Sequence, residues 1–151
     1  MQRQKLNKKS ERGNSLVEFA LGFFLLWGLF SGVYQFGYAF YVYNTLLDAV
    51  NDAAQYGARL DYDTGAPAAW ANAVKNMVVY GDAATGTKSL VPNFTISNVS
   101  VSANLDSGGM PTNVTVAVTG YTINALFQSY SLTNKPRITA RYYGQVGCAS
   151  C

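Results

Sequence analysis

From Phe19 to Tyr43 the chain carries no charge and no proline, a run longer than the roughly 20 apolar residues that suffice to cross the hydrocarbon core of a bilayer. This pattern predicts a spanning helix. Beyond it the apolar positions recur with helical period: Leu46, Leu47, Val50, Ala53, Ala54 and Gly57 share one side, while Asn44, Asp48, Asn51, Asp52, Gln55 and Arg59 share the other. No proline occurs between Asn14 and Leu60. The simplest reading is one continuous helix of about 45 residues, near 70 Å at 1.5 Å per residue, apolar all round below and amphipathic above. The upper inner face is rich in small residues, Ala49, Ala53, Ala54, Gly57 and Ala58, which lets another backbone come close.

Asp61 to Ala66 reads as a turn, and Pro67 suits the first position of a helix, where its missing amide would have no partner. Trp70, Ala73, Val74, Met77 and Val78 then recur at helical spacing up to Gly81, a left-handed cap, which predicts a second short helix over 67–80. Gly81 to Leu90 has the composition of an exposed loop. After Pro92 the period changes to two. Phe94 to Leu105 is strand-like with a slip at Ser97-Asn98 that predicts a bulge or short break, Val114, Val116 and Val118 alternate with Thr115, Ala117 and Thr119, and Arg137 to Val146 turns Ile138, Ala140 and Tyr142 inward. Three antiparallel strands are expected, joined by Asp106-Ser107-Gly108-Gly109 and by a longer connection containing Phe127, Tyr130 and Leu132. One face of such a sheet must be buried, and the two helices offer the apolar surface to cover it. The fold class is therefore α+β: a small head on a long helical stalk.

Charge sharpens this picture. Of a formal net charge of +3, the excess is local: Arg3, Lys5, Lys8, Lys9 and Arg12 all precede Gly13, opposed only by Glu11, and the rest of the chain has six basic and seven acidic side chains. A near-neutral body makes nucleic acid an unsuitable partner. Basic residues beside a first spanning helix hold that end in the cytoplasm, which places everything after Tyr43 outside the inner membrane. A secretory signal has a shorter apolar stretch and a small-residue cleavage site after it, so the helix is expected to stay with the mature protein.

The junction Arg12-Gly13-Asn14-Ser15-Leu16-Val17-Glu18 has its own chemistry. If a peptidase cuts after Gly13, Asn14 becomes the first residue and Glu18 the fifth, a lone carboxylate at the foot of an uncharged helix. A charge within a bilayer costs about 2.5 to 3.5 kcal/mol at the helix centre on insertion scales, so it needs a partner or a route to water. The new α-amine of Asn14, on this chain or a neighbour, would be a partner. Headgroup-level solvation of Glu18 is the alternative.

Over its first 60 or so positions the sequence resembles the TadE-like pseudopilins of tight-adherence (Flp-type) pilus systems. The likeness rests on Arg12-Gly13-Asn14-Ser15-Leu16-Val17-Glu18-Phe19-Ala20, Tyr41-Val42-Tyr43-Asn44-Thr45-Leu46 and Ala53-Ala54-Gln55-Tyr56-Gly57-Ala58-Arg59, with fainter echoes at Val79-Tyr80-Gly81 and Val114 to Val118. The resemblance implies a type IV pilin-like fold, cleavage by a prepilin peptidase at Gly13, insertion in the bacterial inner membrane with the head periplasmic or extracellular, and a minor-subunit role in pilus assembly, initiation and adhesion. Partners would be other pseudopilins or pilins, in a homo- or hetero-oligomer. On this reading residues 1–13 are a leader, 14–60 the transmembrane and stalk helix, and 61–151 the extracytoplasmic head. The family often has alanine or serine where Asn14 stands, and its motifs do not include the terminal Cys148 and Cys151.

Those two cysteines form Cys-Ala-Ser-Cys at the C-terminus. With no histidine in the chain and no second cysteine pair, a zinc set is incomplete, and a local disulfide outside the membrane is the expected state. Gly28 and Gly32 form a small-xxx-small element that allows close helix packing, although glycine is common in membrane helices in any case. Phe23, Trp27, Phe30, Tyr34, Tyr38 and Tyr41 form an aromatic stripe, read as packing surface. The acceptor-like triplets at Asn93, Asn98 and Asn113 are chance matches in a bacterial setting. No catalytic constellation or phosphate loop is present in the sequence, so neither an enzyme nor a cofactor is expected. Two other readings stay open: a repeating filament subunit, which abundance in purified filaments would reveal, and a bitopic membrane protein with a ligand-binding head, which would not be cleaved after Gly13.

Overall fold

A computed structural model describes residues 9–144. Helix α1 runs unbroken from Lys9 to Arg59, and α2 spans Pro67–Tyr80. Three strands follow, β1 (Val99–Leu105), β2 (Pro111–Asn124) and β3 (Ser129–Arg141), in an antiparallel sheet of order β1-β2-β3. The α+β class and the long helix match the sequence reading.

The core forms where three apolar faces meet. Val42, Leu46, Val50, Ala53, Ala54 and Ala58 of α1 are buried against Trp70, Val74 and Val78 of α2 and against Val114, Val116 and Val118 of β2. Small residues set the spacing. A Cβ added at Gly57 would lie 2.8 Å from Cγ2 of the fully buried Val74, so the helices meet at a distance only glycine allows. The end of α1 would otherwise leave carbonyls without partners. The Trp70 indole donates to the Gly57 carbonyl at 3.2 Å, the Tyr143 amide to that of Ala58 at 2.9 Å, and the Tyr142 hydroxyl to that of Leu60 at 3.1 Å. Tyr62 closes this corner with its ring edge-on to Trp70 at 5.3 Å. The next helix starts at Pro67 and stops at Gly81, which sits at φ +73° and donates its amide to Met77. Between the helices, the Asp63 carboxylate accepts the Gly65 amide at 2.8 Å, a turn-building role.

At Ser97-Asn98, where a bulge or short break is expected, the chain makes a short 3-10 turn over Ile96–Asn98 that precedes β1. One sequence expectation needs correction. The connection containing Tyr130 and Leu132 is itself strand: only Ala125 to Gln128 lies between β2 and β3, closed by the Ala125 amide donating to the Gln128 carbonyl. Alternation hid this. The β2–β3 register shifts between Ala117 and Tyr121, with Gly120 at φ +66°, so the buried positions move from Val114, Val116 and Val118 to Tyr121 and Ile123. A bulge reverses which face a side chain takes, and a strict period-two reading stops there. Below the bulge Tyr121 is buried, its hydroxyl donating to the Pro92 carbonyl at 3.0 Å with its ring edge-on to Phe94. Burial, with a smaller contribution from Tyr38, pushes this phenol above its ordinary range.

The hairpin so formed extends the head down α1. At its upper end Tyr143 is tied to Ala58, while at its lower end the Gln35 side chain accepts the Phe127 amide at 2.8 Å and donates to the Gln128 carbonyl at 3.1 Å. These anchor points are about 35 Å apart along the helix. Ser31, Gln35 and Val42, all inside the run expected to face lipid, are therefore buried against the head.

Two outcomes follow from this packing. Replacing Gly57 by alanine should destabilise the head by about 1 kcal/mol in thermal or denaturant unfolding in micelles, because overpacking of about 1 to 3 kcal/mol exceeds the helix-propensity gain. Gly28→Ala, where no atom of the chain lies within 4 Å, should cost the isolated subunit nothing in the same measurement. Gln35→Leu should leave the head folded but loosen the hairpin tip, since it strands a donor and an acceptor worth about 1 to 3 kcal/mol. Hydrogen exchange at the Phe127 amide should accelerate roughly tenfold or more.

Candidate functional site

The residues that the sequence singles out for chemistry lie in the lower part of α1. Every residue from Gly13 to Phe30 is exposed, and the large side chains among them are apolar, with Phe19 at 74% and Phe24 at 80%. A helix apolar all round has no stable place in water and belongs in lipid or against other helices. This helix is long and apolar enough to cross a membrane, with a mean hydropathy of 1.9 over its best window.

The predicted cleavage site lies inside this helix. Gly13 and Asn14 are exposed, and beyond its own helix nothing approaches within 4 Å of a Cβ built at Gly13, so among the described residues no part of the head shields the bond between them. One turn above, the Asn14 side-chain amide donates to Glu18 Oε1 at 3.3 Å. The first residue of a cleaved chain and the lone carboxylate are thus neighbours on one face, at the i, i+4 spacing of adjacent turns. Glu18 is exposed.

Gly28 is exposed and Gly32 half-buried, and neither meets another part of the chain. Their flat surface is open, and the fold does not itself use it. The aromatic stripe resolves into two stacked runs among the described residues: Phe19, Phe23 and Trp27 at centroid spacings of 6.3 Å, and Tyr34 with Tyr38 at 6.5 Å. Phe19 joins the lower run, which the sequence reading began at Phe23. Cys148 and Cys151 lie outside the described residues, as does most of the basic leader.

Sequence reasoning missed Gln35 as a functional position. The signal was present, because an amide in a charge-free run needs a partner as a carboxylate does, only less urgently. Of the acceptor-like asparagines, Asn98 is occupied structurally: its amide donates to the Gly120 carbonyl at 3.1 Å and its Oδ1 accepts the Thr95 amide. Among the described residues no cluster of three metal-ligating side chains occurs.

No curated protein and no solved structure matches the chain. Residues 13–55, from Gly13 into the head-facing half of α1, match the family model described as TadE-like protein. Over its anchoring helix and lower stalk the chain is thus similar to TadE-like proteins, a pilus-associated family.

Proposed function

We propose that this chain is a minor pseudopilin of a tight-adherence pilus system, processed by a prepilin peptidase between Gly13 and Asn14 and held in the inner membrane by α1 with its head on the far side. The observation that carries the reading is the bare lower helix. Residues 13–30 are exposed on every side within one chain, and a single carboxylate stands five residues after a glycine at the head of that stretch. Such a surface suits two environments in turn, lipid before assembly and a bundle of like helices after it.

In this role the residues divide the work. Gly13 offers an unshielded bond without a Cβ, and the basic leader keeps it at the cytoplasmic face. Glu18 acts as the registry element, pairing with the Asn14 amine of a neighbouring subunit, so that misplacement along the axis leaves a charge unpaired in an apolar bundle. Gly28 and Gly32 allow close approach of a second helix. The head meets partner pseudopilins and assists initiation and adhesion without catalysis.

Intact-mass analysis of protein from cells with their own peptidase should find Asn14 as the first residue, and Gly13→Ala should slow that processing. Recovery of an uncut N-terminus from wild type would refute the assignment. Glu18→Gln should yield a cleaved, membrane-resident protein that no longer supports piliation. Wild-type pilus levels in that mutant would remove the registry role.

A further inference from the structure

We propose that the tip of the β2–β3 hairpin is a second membrane contact, with Leu126 and Phe127 seated at the outer headgroup–acyl boundary of the bilayer that α1 spans. The inference rests on the reading of α1 as a membrane anchor and adds to it the level at which the head sits.

The first support is length. The tip is fixed to α1 at Gln35 by hydrogen bonds of 2.8 and 3.1 Å. From Glu18 to Gln35 the helix rises about 26 Å, and a hydrocarbon core is about 30 Å thick. Measured from Asn14 the rise is about 32 Å, which a tilt of about 20° brings back to about 30 Å. In either register Gln35 lies at or within the outer edge of the core, and the tip lies there with it.

The second support is composition. Leu126 is 60% and Phe127 71% exposed, two large apolar side chains side by side on a four-residue turn. No charged residue occurs from Ser107 to Asn134, so the whole hairpin descends without a group that would resist the interface. Lys135 and Arg137 resume the charges on the part of β3 above the bulge. On α1 at the same level there is none between Phe19 and Leu47.

The third is continuity. Just above Gln35 an apolar groove of about 340 Å³ opens between the helix and the hairpin, lined by Phe36, Phe40, Tyr43, Ile123, Tyr130 and Leu132. Phe36 and Phe40 belong both to its lining and to the exposed apolar surface of the helix. Acyl chains that bathe the helix can continue into it. A two-point contact of this kind fixes the rotation and tilt of the anchor, which a lone helix leaves free, and presents the Glu18 face in a defined direction.

The test uses the full chain with Cys148→Ser and Cys151→Ser, carrying one nitroxide at Phe24→Cys, Leu126→Cys or Ser107→Cys. The protein is reconstituted at high dilution in vesicles of phosphatidylethanolamine and phosphatidylglycerol, and collision of each label with oxygen is compared with collision with a water-soluble nickel chelate. The Phe24 label should be oxygen-favoured and the Ser107 label, in the β1–β2 turn, nickel-favoured. The Leu126 label should be oxygen-favoured, with a ratio several-fold above that of Ser107. A Leu126 label as open to nickel as Ser107, while Phe24 reports lipid, would overturn the hairpin contact and leave the anchor standing. Nickel access at Phe24 would overturn both. A Leu126 label shielded from both reagents until the protein is further diluted would overturn the lipid assignment in favour of a second copy of the chain.

Discussion

Everything in this protein hangs on one unbroken helix that has to satisfy two different solvents along its length. From Gly13 to Phe30 the surroundings must be apolar on all sides, and from Val42 to Ala58 the surroundings are a protein core on one side and water on the other. A helix meets every internal backbone hydrogen bond within itself, so it can pass from lipid to water without exposing an unpaired amide. Only side chains need to change. They change gradually, through Ser31 and Gln35, which are polar yet buried in the head.

Attachment of the head depends on the small-residue face of α1. Ala49, Ala53, Ala54, Gly57 and Ala58 permit β2 and α2 to approach until valines pack directly on the helix backbone. The strands then lie along the helix axis, and the hairpin reaches as far down as its own length allows. Trp70 and the Tyr142-Tyr143 pair close the top of the helix, and Gln35 closes the bottom of the hairpin. Between these two ends the head is clamped to one side of the stalk, while the lower helix is left bare.

That division explains why the molecule reads as a part of something larger. Among the described residues no buried side-chain nitrogen or oxygen of the head lacks a hydrogen bond. The lower helix is the reverse, with the Phe19-Phe23-Trp27 run, Gly28 and the carboxylate of Glu18 all left exposed by the fold. Surfaces left uncovered by a well-packed neighbour are where recognition is to be sought. On the proposed reading, membrane lipid and the helices of partner subunits are both apolar, so the same surface would exchange one for the other, with Glu18 as the charged exception.

Much of this was written in the sequence because the signals are local. Charge-free length from Phe19 to Tyr43 announced the anchor, helical period in Leu46 to Ala58 announced its buried face, Pro67 and Gly81 marked both ends of α2, and alternation at Val114 to Val118 marked the central strand. The Gly13 to Glu18 spacing is likewise a matter of a few adjacent residues. Where the strands of the hairpin continue was not legible, because the bulge near Gly120 inverts the alternation and a parity count cannot see across it. Nor was the level at which the head meets the stalk. Gln35 is one polar residue in an apolar run, and only the folded hairpin, arriving from more than ninety positions away in the chain, supplies the amide and carbonyl that make it a clasp. Local propensity and hydropathy are properties of neighbours in sequence, whereas a register between a strand and a helix is decided by which distant surfaces fit together once both have formed.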